Sequence, residues 1–262
     1  MALILSTNAY IRSGLTPIYG LLEDNPDLGI ELFANNQDKA YMKELLALGK
    51  DTNRYLTYHE QIFDVEHSRP REEDLYSLEQ IRLAIEHCVD LGIKDIVYHV
   101  NNIAIDDKQQ MIAQTKFNLD HITQEAKTKG VNILVENVGV DTKQNKLLTE
   151  SEFINFCKER ANNVLIDIGH ANANGWNLDY VIQQLQDKIK FYHLHNNDGK
   201  HDDHNLLHDG TLNMEHFFET YHKYTPNAHL TLEYNYDIGG QPQQIQHDID
   251  YVLRKMKTEY QG

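Results

Sequence analysis

Seven side chains able to hold a divalent cation close successive strand-like segments of this sequence: His59, His99, Glu136, Asp167 with His170, His195 and Glu233. A single charged group at a strand end is commonly a salt bridge or a satisfied hydrogen bond. The same residue types recurring at strand after strand imply one shared site. Glu136 ends the apolar run ILVE and Glu233 ends LTLE; a carboxylate so placed is costly unless it is paired or bound to a cation. Asp167 closes VLID, and His170 falls one helical turn later, with Gly169 and Gly175 shaping the loop. Imidazole and carboxylate together suit Zn, Mn, Co or Fe better than Ca, which takes an all-oxygen shell.

The densest stretch is 191–213, FYHLHNNDGKHDDHNLLHDGTLN. His193 and His195 fall on the same side of a strand of period two. His195, nearer the C-terminal end, is the better ligand candidate, and His193 reads as an interior side chain. His201, Asp202, Asp203, His204, His208 and Asp209 follow in a polar loop that a solvated role explains equally well. Glu31, in GIELF, is a weaker candidate for a substrate contact, and the single Trp176 either walls a pocket or packs. His67, His87, His121, His216, His222 and His229 read as surface or helix residues.

Positioning such residues is the task of eight β-branched or aromatic runs: 2–7, 28–34, 54–60, 95–100, 132–138, 164–169, 189–195 and 229–235. Between them lie stretches of helical period, such as 77–91 with its broad apolar face. Gly92 and Gly130 each follow such a stretch, as helix stops do. Eight βα alternations with no Pro/Gly/Ser-rich linker predict one domain, 1–262, folded as a single (β/α)8 TIM barrel. Barrels of this kind run to about 250 residues and carry their chemistry at the C-terminal ends of the strands. A doubly wound open sheet is the alternative, but it would not usually gather residues from so many strands.

Composition narrows the function. With 24 basic against 40 acidic residues the formal charge is −16, which disfavours nonspecific nucleic-acid binding. Mean hydropathy is −0.59, and no apolar run approaches the roughly 18 residues of a membrane span. The N-terminus lacks a basic region and a cleavage site, so no signal peptide is expected. Cys88 and Cys157 lie in separate amphipathic stretches and read as reduced core thiols of a cytoplasmic protein. Phosphate-cradling, dinucleotide and nucleophile-elbow motifs are absent, which leaves metal-assisted chemistry.

The chain resembles the xylose isomerase-like barrel superfamily, which includes sugar isomerases, ketose 3-epimerases, inosose dehydratases and endonuclease IV. The resemblance spans nearly the whole chain and is carried by ILVEN, VLIDIGHANANG, HLHNND, the following DDH and the turn HDGTLN. It implies one divalent metal (Mn, Co, Mg or Zn) held by Glu136, Asp167, His195 and Glu233. By the same resemblance the trinuclear zinc pattern of endonuclease IV would add His59, His99, His170, Asp202 and His204. The implied activity is isomerisation or epimerisation of a small carbohydrate-like substrate. Glu136 and Glu233 would move the proton through a metal-stabilised enediolate, with His170 positioning a hydroxyl. The rival is a zinc-dependent phosphodiesterase acting at abasic DNA sites, and the non-catalytic alternative a metal-bearing, carbohydrate-binding or regulatory barrel. A homo-oligomer is compatible with either enzyme.

Overall fold

The apolar runs become β1 (Leu3–Ser6), β2 (Gly29–Phe33), β3 (Leu56–His59), β4 (Asp95–His99), β5 (Asn132–Glu136), β6 (Asn163–Asp167), β7 (Ile189–Leu194) and β8 (His229–Leu232). In the computed structural model, which describes residues 1–257, they pair in parallel and close into one barrel in chain order. β8 returns to β1 through Leu3–Leu230 and Leu5–Leu232. This is the (β/α)8 barrel expected; residues 258–262 of the predicted domain lie outside the described residues.

The strands are shorter than the runs that mark them, because the last polar residues leave the ladder and enter the loops above the barrel. His195 and Glu233 each stand one residue beyond their strand. Helices between strands follow local signals. The helix Leu75–Leu91 starts two residues before the predicted stretch, where Asp74 accepts the Ser77 N–H, and ends at Gly92 with φ +69°, a left-handed stop that suits glycine. Cys88 lies in this helix and Cys157 in Glu150–Lys158, both buried and free. No helix among the described residues is long and apolar enough to cross a membrane.

Alternate strand residues face the lumen. Ile4, Val97, Leu134, Leu165 and Phe191 form an apolar layer low in the barrel, apart from the main core outside it. Each such side chain stabilises the fold by about 1.5–3 kcal/mol on burial. One pleat higher the same faces turn polar, and the site begins there. Two histidines depart from the sequence reading. His229 opens β8 with its ring stacked between Tyr55 and Phe191, accepting the Ala2 N–H below the apolar layer. His67 is buried in the β3–β4 connection, 2.9 Å from the Glu60 carboxylate. Both misreadings come from short-range pattern, which is blind to a ring buried by a distant loop.

Candidate metal centre

Strand period alone builds the floor of the site. Phe191 and His193 share one face of β7, as do Leu134 and Glu136 on β5, Leu165 and Asp167 on β6, and Val97 and His99 on β4. Each apolar lumen residue is thus followed by a polar one, and loops supply the rest.

Glu136 is the first junction. Its Oε2 lies 3.1 Å from His99 Nε2 and 3.7 Å from His59 Nε2. Its Oε1 lies 3.4 Å from His170 Nδ1 and 3.6 Å from His193 Nδ1. Asp167 is the second, with Oδ1 2.9 Å from His195 Nε2 and Oδ2 3.7 Å from His170 Nδ1. It also caps the helix Ile168–Ala173 by accepting the His170 N–H, which turns that ring back over the barrel. Asp202 Oδ1 stands 3.2 Å from His170 Nε2 and 3.0 Å from His204 Nε2. Glu233 Oε2 is 3.0 Å from His193 Nδ1 and 3.5 Å from His204 Nδ1. All nine residues named from the sequence and its resemblance therefore come together. His193 and Glu31, 3.1 Å apart, lie beneath them.

Hydrogen bonds behind the rings aim them. His59 Nδ1 is 2.8 Å from the Glu60 carbonyl oxygen and His99 Nδ1 2.8 Å from Asn102 Oδ1, leaving both Nε2 atoms toward Glu136. The Glu60 carboxylate accepts the His99 N–H and faces His67. Asn137 clamps β6 by accepting the Asp167 N–H and donating to its carbonyl. Such outer partners orient ligands. The polar loop after β7 is ordered in turn: Asn196 donates to the carbonyls of Leu207 and Leu212. His204 sits at φ +50°, a strained setting for a non-glycine residue that recurs at functional sites. His201 and His208 stay outside the cluster; His201 pairs with Asp198. Sequence reasoning missed Glu60 and Asn137 as supports, since each follows a ligand candidate with nothing to mark its partner.

The arrangement fits a cation. Glu136 Oε2, His170 Nδ1, His193 Nδ1, His195 Nδ1 and Asp202 Oδ1 are buried without a hydrogen-bond partner. All but His195 Nδ1 lie within ion-pair distance of an opposite group without forming a hydrogen bond to it, a crowding of donors that a cation would relieve. Four overlapping sets of donors in this cluster have their candidate ligand atoms within 4.8 Å of one another: His59, His99, Glu136; Asp167, His170, His195, His204; Glu136, Asp167, His193; and His59, His193, Glu233. Without a cation, protons take its place. Burial opposes charge on both partners, but attraction prevails. His99 and His193 hold the Glu136 carboxyl well below its usual range, His170 and His204 do the same for Asp202, and Asp202 with Glu233 raises His204 to about 9.

Close packing makes one glycine essential. A Cβ on Gly169 would overlap the His195 ring. Gly169→Ala is expected to lower stability by about 1–3 kcal/mol and to weaken metal binding by displacing His195. Thermal melting and a metal titration check this, and wild-type values in both would refute it.

Above the centre a cavity of about 400 Å³ opens onto Asp202 and His204, walled by Asn8, Arg12, Phe63 and Tyr236. That volume suits a small molecule. Trp176 packs on Phe153 away from this cavity.

Comparison with known proteins agrees with this architecture. A D-tagatose 3-epimerase-like protein superposes with a TM-score of 0.78 at 20% identity, covering 97% of this chain and 99% of the other. The IOLI protein, solved with a zinc atom, gives 0.81 at 17% identity over the whole of both chains. A 3-keto-D-glucoside 4-epimerase from E. coli gives 0.72 at 15% identity, covering 95% and 99%. No curated protein matches the sequence significantly. The family profile described as xylose isomerase-like TIM barrel matches residues 21–256; the chain belongs to the xylose isomerase-like TIM barrel family.

Proposed function

We propose that this protein is a divalent-metal-dependent isomerase or epimerase acting on a sugar or related hydroxy-carbonyl compound. One observation carries the reading: Glu136 and Glu233, from opposite parts of the barrel, both come within reach of a single ring nitrogen, His193 Nδ1, at 3.6 and 3.0 Å. Two carboxylates facing a common point beneath a small-molecule cavity can divide the work of base and acid. One takes the proton from the carbon beside the carbonyl; the other returns it to the opposite face or the adjacent carbon. His170, facing Glu136 and Asp202, positions a hydroxyl. Glu136, Asp167, His195 and Glu233 would hold a divalent cation, which would supply Lewis-acid polarisation of the carbonyl. The structural likeness to a D-tagatose 3-epimerase-like protein and to a 3-keto-D-glucoside 4-epimerase supports this class.

A second reading has its own observation. Glu136 and Asp167 each join two groups of donors, the geometry of carboxylates bridging several cations, and His59, His99, His170, Asp202 and His204 would complete a trinuclear zinc centre for phosphodiester cleavage at abasic DNA sites. The formal net charge of −16 counts against it.

The deciding experiment incubates metal-loaded protein with pentuloses, hexuloses and their acidic derivatives in deuterated water. Deuterium entering beside the carbonyl, together with a new epimer or isomer, is expected. Inert sugars combined with chelator-sensitive incision of an abasic duplex would transfer the assignment to the nuclease.

A further inference from the structure

The cavity above the metal centre has a cationic wall. Arg12 stacks its guanidinium 3.5 Å from the centroid of the Tyr236 ring, so its face is occupied while its N–H edges remain free. Other arginines are committed elsewhere: Arg69 to Asp106, Arg82 to Glu125, Arg160 to Asp120, and Arg54 to backbone carbonyls. Among the described residues no carboxylate pairs with Arg12, although acidic residues outnumber basic ones in the chain. Its charge is unspent at the mouth of a cavity that opens on the candidate ligands Asp202 and His204.

Its mounting is firm. Asn235, beside Tyr236, donates its N–H to the His204 carbonyl and its side-chain amide to that of Asp203. Gly239 in the same loop packs so closely on the Ala9 carbonyl that a Cβ would overlap it. Asn8, four residues before Arg12, donates to Glu233 at 3.4 Å. The loops after β1, β7 and β8 therefore hold Arg12 at a set distance from the metal ligands, across the cavity.

We infer that the substrate carries an anionic group, a carboxylate or a phosphate monoester, which Arg12 receives while the hydroxy-carbonyl end meets the centre below. The inference rests on the isomerase reading and names its substrate class. Arginine presents two parallel N–H donors that match either oxyanion, and stacking on Tyr236 preorganises that fork. The five carboxylates near the floor, Glu31, Glu136, Asp167, Asp202 and Glu233, would repel an acid unless cations balance them, so the anion belongs at the rim.

The test is calorimetric binding of D-fructose, D-fructuronate and D-fructose 6-phosphate to manganese-loaded protein at constant ionic strength. At least one acid is expected to bind about tenfold or more tightly than D-fructose, the gain typical of a charge-assisted contact. The stronger of the two acids identifies carboxylate or phosphate. In Arg12→Ala the acid-to-neutral ratio should fall towards one, whereas Arg82→Ala, on an outer helix, should keep it. Equal binding of all three sugars, a preference that survives Arg12→Ala, or binding of none overturns the inference. So does an abasic duplex that binds more tightly than either acid. An acid bound without deuterium exchange would keep the inference and sink the isomerase; exchange with D-fructose alone would do the reverse.

Discussion

Glu136→Gln and Glu233→Gln are each expected to lower kcat by about 100- to 10,000-fold, the range for losing a positioned acid or base. Glutamine keeps the size of the side chain and loses its charge and its ability to accept a proton. The two variants should differ in what survives. Glu136 touches His59, His99, His170 and His193, and as one of the four proposed metal holders its neutralisation should also loosen the cation. Glu233 faces His193 and His204, fewer rings than Glu136 does, so Glu233→Gln should loosen the cation less. Metal per chain, measured beside kcat, separates a lost proton carrier from a lost cation. A variant that retains metal but neither turns over nor exchanges deuterium isolates the proton step. Near-normal turnover in both variants would end the two-carboxylate mechanism.

What the sequence showed of this site follows from periodicity. Strand-end residues were legible because a run such as ILVE predicts both a strand and the direction its last side chain takes. Hence Glu136, Asp167 and His99 stand where expected, each the last residue of its strand. His170 was legible because Asp167 both ends β6 and caps the next helix. Asp202 and His204 were another matter. Nothing in the spacing of HDDH distinguishes them from His201 or Asp203; only the family resemblance did. The structure separates them through a loop pinned by Asn196 and a positive φ at His204, neither of which has a local signature. His67 and Glu60 were invisible as a pair because their partnership ties β4 to the preceding loop. Arg12 lay beyond reach for the same reason: its meaning depends on Tyr236, more than two hundred residues away in the chain.

Stripping metal should leave a folded but weaker and inactive protein. Without a cation, buried carboxylates and imidazoles must balance one another through protons, and several of their atoms remain unpaired. A metal present at about 1,000 times its Kd stabilises by roughly 4 kcal/mol. At about 2–4 °C per kcal/mol for a chain of this size, the stripped protein should melt about 8–16 °C lower. The difference should also depend on pH. In the metal-free protein His204 is raised from the usual imidazole value of 6.5 to about 9 by Asp202 and Glu233, against the opposing effect of burial. Its ion pairs therefore stabilise that form fully below 6.5 and are lost as pH rises through about 9. Metal requires the neutral ring and competes with those protons, so its contribution grows over the same interval. Both trends widen the gap between loaded and stripped protein as pH climbs from about 6.5 to about 9. Melting curves with and without chelator across that range, with residual metal assayed, provide the check. A gap that is absent, or that narrows with rising pH, would mean that these residues are paired for structure and hold no cation.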